Sequence, residues 1–265
     1  MSAIAFRLLD GGDGPWVVWV HGFLGSSLDF LPFARRLAPR FRSLLVDLPA
    51  HGDSAHVEPE SVSASARLVG EAMDINGIDR AVVAGYSLGG RVALDLAERH
   101  ADRTAGLILE SASPGIIGAE ARARRIRMDE TRAGTLLDQS REDFLSNWYR
   151  QSVFRSLATR PSARQTLIAT RRIPDPKAMG RALALFSPGR QTPNWSALPR
   201  LTCPILCVAG RLDGKYLAVS RRIADVSRRA ALAQVRDSGH VVHFEAPEAY
   251  FEAVISFLKQ QSPRG

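Results

Sequence analysis

The chain has 265 residues, 45% of them apolar and 23% charged, which is enough to bury a full core and too evenly mixed for a disordered or fibrous protein. No run approaches the roughly 20 apolar residues that cross a bilayer, so no membrane partner is expected. A formal charge of +8 invites nucleic acid as a partner, yet arginine is spread along the chain, aromatics are not interleaved with it, and no nucleic-acid motif is present. Much of the basic excess falls in the middle of the sequence, which points to an acidic small molecule instead.

Met1 to Asp10 lacks a basic region followed by a long apolar one, so a cytoplasmic protein is expected. Strand-like runs follow at Phe6 to Leu9 and Trp16 to Val20. The second leads into the glycine turn His21-Gly22-Phe23-Leu24-Gly25, where His21 reads as organising the loop. A third run, Ser43 to Val46, ends in the tight loop Asp47-Leu48-Pro49-Ala50-His51-Gly52. The fourth, Ala81 to Ala84, enters Gly85-Tyr86-Ser87-Leu88-Gly89, and the fifth is Leu107 to Leu109. From about residue 115 to 197 the strands stop and the pattern is helical, in the position of a lid over the fourth strand's end. Two further runs, Ile205 to Val208 and Ala233 to Val235, are followed by Arg211-Leu212-Asp213 and Asp237-Ser238-Gly239-His240. Strands alternating with helices predict an α/β protein with a mostly parallel, doubly wound sheet in a single domain. Cys203 and Cys207 read as core thiols, and with no Cys-His cluster or H-E-x-x-H pattern, neither a metal nor a cofactor is expected.

The G-x-S-x-G pentapeptide places Ser87 on a sharp strand-to-helix turn, where it can serve as a nucleophile. A serine hydroxyl is weak at its free pKa; it needs an imidazole to take its proton and a carboxylate to fix that imidazole's tautomer. Asp213 and His240 follow in the order acid, then histidine, each on a loop after a late strand, as in an α/β-hydrolase. His243 is the rival base, disfavoured because it sits where the last helix should begin. Backbone N–H groups of Phe23 and Leu88 would form the oxyanion hole. Arg91 lies one helical turn after Ser87, within reach of the same space. Read from the residues alone, Arg125 and Arg171 fit the solvated faces that Arg-rich helices usually present, and Trp148, Tyr149 and Phe154 fit either a core or a pocket wall.

Several segments together carry a resemblance that spans nearly the whole chain. They are His21 to Gly25, Gly85 to Arg91, Glu110 with Ser113-Pro114-Gly115, the basic helix Ala119 to Arg127, and Asn147-Trp148-Tyr149 with Val153-Phe154. The sequence is similar to the 2-succinyl-6-hydroxy-2,4-cyclohexadiene-1-carboxylate synthases of menaquinone biosynthesis. The resemblance implies a lyase in which the triad removes a ring proton and drives elimination of pyruvate. It also implies that Arg91, Arg125 and Arg171 bind the substrate's carboxylates while Tyr86 and Trp148 shape the site. Ala50 departs from the family's Pro-Gly-His-Gly loop. An ordinary serine hydrolase acting on an acidic ester or carbon–carbon bond, and a binding module on a hydrolase cleft, remain the alternatives. Oligomeric state is not legible.

Overall fold

The computed structural model describes residues 4–261, so the first three residues of the amino-terminal segment weighed above lie outside the described residues. Seven strands form one sheet in the order β1-β3-β2-β4-β5-β6-β7. They are β1 (Phe6–Leu9), β2 (Trp16–Val20), β3 (Arg42–Val46), β4 (Ala81–Tyr86), β5 (Thr104–Glu110), β6 (Ile205–Gly210) and β7 (Ala230–Val235). Only β1 runs antiparallel, pairing with β3 at the sheet's edge; every other pair is parallel. Each expected run lies within a strand. The expected fifth and seventh runs were too short: β5 begins at Thr104, ahead of Gly106, and β7 begins in an alanine-rich, half-exposed edge stretch that carries little apolar signal.

The central strands are buried on both faces, which explains their unbroken apolar sequences. Alternate residues serve opposite cores. Val18 and Val20 join Val83, Val92 and Val69 on one face, while Val17 and Trp19 join Ala84, Phe33, Tyr250 and Val254 on the other. The first face is covered by α2 (Val62–Ile75), α3 (Leu88–Arg99) and α8 (Gly214–Val226), the second by α1 (Leu31–Leu37) and α10 (Pro247–Gln261). Cys203 and Cys207 are buried and free; Cys207 lies within β6, whereas Cys203 precedes that strand. Burial pushes the Cys207 thiol up to about 12, which keeps it protonated and inert.

Between β5 and β6 the chain builds α4 (Ala119–Asp138), α5 (Arg141–Trp148), a 3-10 stretch (Ser152–Thr159), α6 (Pro161–Thr170) and α7 (Pro176–Leu185). No strand lies in this insertion among the described residues. Local signals set its boundaries: Ser140 caps α5 by accepting from Asp143 N–H, and Asp175 caps α7 ahead of Pro176. The insertion sits over the carboxyl ends of the strands, with the Trp148 ring tilted against Phe23 at 5.0 Å and Phe154 5.5 Å from His240. A short α9 (Val242–Glu245) precedes α10. No helix among the described residues is long and apolar enough to cross a membrane.

Candidate active site

Sheet order positions the chemistry. Strand β2 is flanked by β3 on one side and β4 on the other, so the connections leaving β2 and β4 diverge and open a crevice at their carboxyl ends. Ser87 follows β4 directly, at φ 49° and ψ −103°, a conformation that costs a non-glycine residue about 1–3 kcal/mol. The residues two positions to either side are glycine because a side chain would not fit. A Cβ on Gly89 would strike the backbone of Val20 and His21, and one on Gly85 would strike the backbone of Gly89. Leu88 begins α3, so its N–H has no partner within the helix, and the residue lines the space beside Ser87 together with Phe23.

The three residues expected to act together do converge. His240 Nδ1 lies 2.7 Å from Asp213 Oδ2, and its Nε2 lies 3.3 Å from Ser87 Oγ. A carboxylate can only accept, so Nδ1 carries the proton and Nε2 is left to accept from the serine hydroxyl. The 3.3 Å separation is long, as such contacts often are before substrate binds. Asp213 is fixed from its other side, because its Oδ1 accepts from Tyr216 N–H and caps α8. The His240 loop is held by Glu245, whose carboxylate accepts the N–H groups of Gly239 at 2.9 Å and Val241 at 3.1 Å. His243 faces elsewhere: its Nδ1 donates to the buried Glu110 carboxylate at 2.8 Å.

The loop that carries Phe23 is equally fixed. His21 Nε2 accepts from Leu48 N–H at 3.0 Å, so its Nδ1 is the protonated nitrogen and donates to Gly22 O at 2.7 Å. Burial lowers the pKa of His21, which keeps the ring neutral in this organising role. Burial likewise lowers His51 to about 3, and its ring packs edge-on against Phe23 at 5.4 Å.

Two connected spaces adjoin Ser87. An inner recess of about 70 Å³ is lined by Phe23, Leu88, Arg91, Arg125 and Trp148, and an outer cleft of about 430 Å³ by Arg125, Trp148, Phe154, Tyr216 and His240 among others. A larger hollow, about 860 Å³, lies within the helical insertion and includes none of the three convergent residues, so volume alone does not mark the site. Arg91 is buried, donates to Phe186 O at 2.7 Å and Gln191 Oε1 at 3.2 Å, and makes no ion pair among the described residues. Burial lowers its pKa to about 10, so it stays charged at neutral pH. Arg125 is held by the buried Asp129 at 2.7 Å, which aims it along the recess instead of into solvent.

Two expected site residues lie elsewhere. Arg171 is fully buried, with Nη1 2.7 Å from both Asp29 oxygens and Nε donating to Tyr149 Oη at 2.9 Å, and it lines neither space. Burial alone would lower its pKa, but Asp29 and Tyr149 outweigh it and raise the value. Tyr86 lies behind His240, 5.4 Å from that ring and 4.9 Å from His243, and supports the imidazole without lining the cleft. Sequence reasoning missed Arg132, Arg155 and Lys215 on the cleft wall. Lys215 had one available signal, its place two residues after Asp213 at a strand's carboxyl end.

Relatives match this geometry and its sequence. Residues 17–253 match the alpha/beta hydrolase family model. The 2-succinyl-6-hydroxy-2,4-cyclohexadiene-1-carboxylate synthase of Yersinia pestis is 35% identical over 251 residues, covering 94% of this chain and 89% of that protein. MenH from S. aureus superposes with a TM-score of 0.89 at 26% identity, covering 97% of this chain and 98% of that one. A thermophilic esterase from Thermogutta terrifontis shares the fold at a TM-score of 0.80 and 24% identity, with 97% and 93% covered. The chain belongs to the alpha/beta hydrolase family and, within it, to the 2-succinyl-6-hydroxy-2,4-cyclohexadiene-1-carboxylate synthases.

Proposed function

We propose that the protein is a cytoplasmic lyase that eliminates pyruvate from 2-succinyl-5-enolpyruvyl-6-hydroxy-3-cyclohexene-1-carboxylate. His240, oriented by Asp213, takes the proton of Ser87, and the serine oxygen removes the ring hydrogen beside the succinyl ketone. Electrons from that carbon–hydrogen bond shift through the ring double bond and break the bond to the enolpyruvyl oxygen, leaving a conjugated diene. The departing enolate takes up a proton and becomes pyruvate. Negative charge on the ketone oxygen is met by the N–H groups of Phe23 and Leu88, fixed in place before the charge develops. Arg91 and Arg125 hold carboxylates, and Trp148 forms a wall.

Arg91 carries this reading over ordinary ester hydrolysis. A buried cation with only neutral acceptors is costly to maintain and gains most when an anion arrives beside it. An uncharged ester would give it nothing to hold. The purified protein is expected to release pyruvate from the enolpyruvyl substrate and to leave p-nitrophenyl esters nearly untouched. Ser87→Ala should lower turnover by about three orders of magnitude or more with little change in stability, while Arg91→Ala should chiefly raise KM. Brisk ester hydrolysis without pyruvate would establish the hydrolase reading instead.

A further inference from the structure

The substrate of the proposed reaction carries three carboxylates, yet only two of the three expected arginines reach the site. Arg171 is tied to Asp29. Arg91 and Arg125 both line the inner recess, whose volume of about 70 Å³ leaves no room for the whole trianion. The rest of the substrate must occupy the outer cleft, and four cations line it: Arg125, Arg132, Arg155 and Lys215.

Their partners separate them. Arg125 and Arg132 share the buried Asp129, at 2.7 and 3.5 Å. Arg155 and Lys215 make no ion pair among the described residues, although both are exposed on the wall of the cleft that holds Ser87 and His240. They come from opposite sides. Arg155 follows Phe154, whose ring is 5.5 Å from His240, on the inserted helical segment. Lys215 lies in the first turn of α8, two residues after Asp213, with its ammonium 5.1 Å from the Tyr216 ring.

We propose that Arg155 and Lys215 form an outer carboxylate subsite that takes the terminal carboxylate of the succinyl arm. This rests on the proposed reaction. With the ketone at the Phe23 and Leu88 amides, the succinyl carboxylate is the one carried on a flexible arm leading away from the ring, two methylenes beyond that ketone. Its two methylenes can extend past His240 to the cleft wall. A guanidinium from one side and an ammonium from the other then hold it: one grips two oxygens in a plane, and the other acts as a point charge.

The test uses Arg155→Ala, Lys215→Ala and the double variant, with pyruvate release as the readout. The native substrate is compared with an analogue whose succinyl carboxylate is replaced by a carboxamide. For the native substrate the double variant should lose about 10- to 100-fold in kcat/KM, through KM, with kcat within about threefold of wild type. For the carboxamide, wild type and double variant should agree within about threefold. An unchanged KM for the native substrate, or equal losses on both substrates, overturns the subsite while leaving the reaction intact. If wild-type protein releases no pyruvate from either compound, the reaction itself is wrong and the subsite falls with it.

Discussion

Ala50 shows how a single residue's energetics can be read in advance. It stands where the family's loop carries glycine, and it adopts φ 66°, a region glycine enters freely. A left-handed alanine costs about 1–2 kcal/mol, but glycine would return about 0.4–1 kcal/mol in unfolded-chain entropy and forfeit about 0.8 kcal/mol for the lost buried methyl group. The opposing effects nearly cancel, because Ala50 is buried in the core. Ala50→Gly should therefore leave unfolding free energy within about 0.5 kcal/mol of wild type in urea titration. A gain of 2 kcal/mol would mean that strain dominates and the methyl group contributes little. The sequence exposed this position as a departure from a pattern; the backbone angle shows why glycine is usual there, and the buried methyl group why alanine is tolerated.

At the scale of elements, the Arg171 ion pair ties the end of α6 to the loop after β2, since an Asp29 carboxylate oxygen lies against Gly25. Removing one partner of a buried pair leaves the other charge uncompensated, at a cost of about 3–5 kcal/mol. Arg171→Gln should lose stability of that order in denaturant unfolding, and adding Asp29→Asn should recover part of it. A variant of full stability with a raised KM would return Arg171 to a direct role in substrate binding. The convergence of Ser87, Asp213 and His240 was legible because each follows a strand in a fixed order, so local context and chain order sufficed. Arg171 was misplaced because its partner lies 142 residues away and Tyr149 22 residues away, separations that no local pattern encodes. Tyr86 was misplaced for a related reason: sequence set it beside the nucleophile, but strand alternation turns it behind His240.

Across the whole molecule, charge is unevenly distributed in a way that suits an anionic substrate. Residues 115–197 hold fifteen lysines and arginines against seven acids, which accounts for the entire formal excess of +8, and this segment overlies the serine. The fold was legible from apolar runs and turn residues, whereas the direction of individual arginines was not, because long side chains are aimed by partners such as Asp129 and Gln191. Buried neutral histidines set the molecule's response to acid. The ordinary histidine pKa of 6.5 applies to the unfolded chain, but His51 falls to about 3 when folded, so between those values only the unfolded state takes up the proton. Stability from His51 is complete above pH 6.5 and declines by about 1.4 kcal/mol per unit below it, or about 2 kcal/mol by pH 5. His51→Asn should flatten that part of the urea-unfolding profile between pH 7 and 5, and an equally steep profile in the variant would assign the acid sensitivity to other groups. Proton removal by Ser87 is the central step of the proposed reaction, and deuterium at the ring carbon beside the succinyl ketone probes it directly. Pyruvate and the conjugated diene should form together, one for one, and more slowly from the deuterated substrate in a single turnover. Equal single-turnover rates for the two substrates, or pyruvate formed without the diene, would contradict proton abstraction as the step that this site performs.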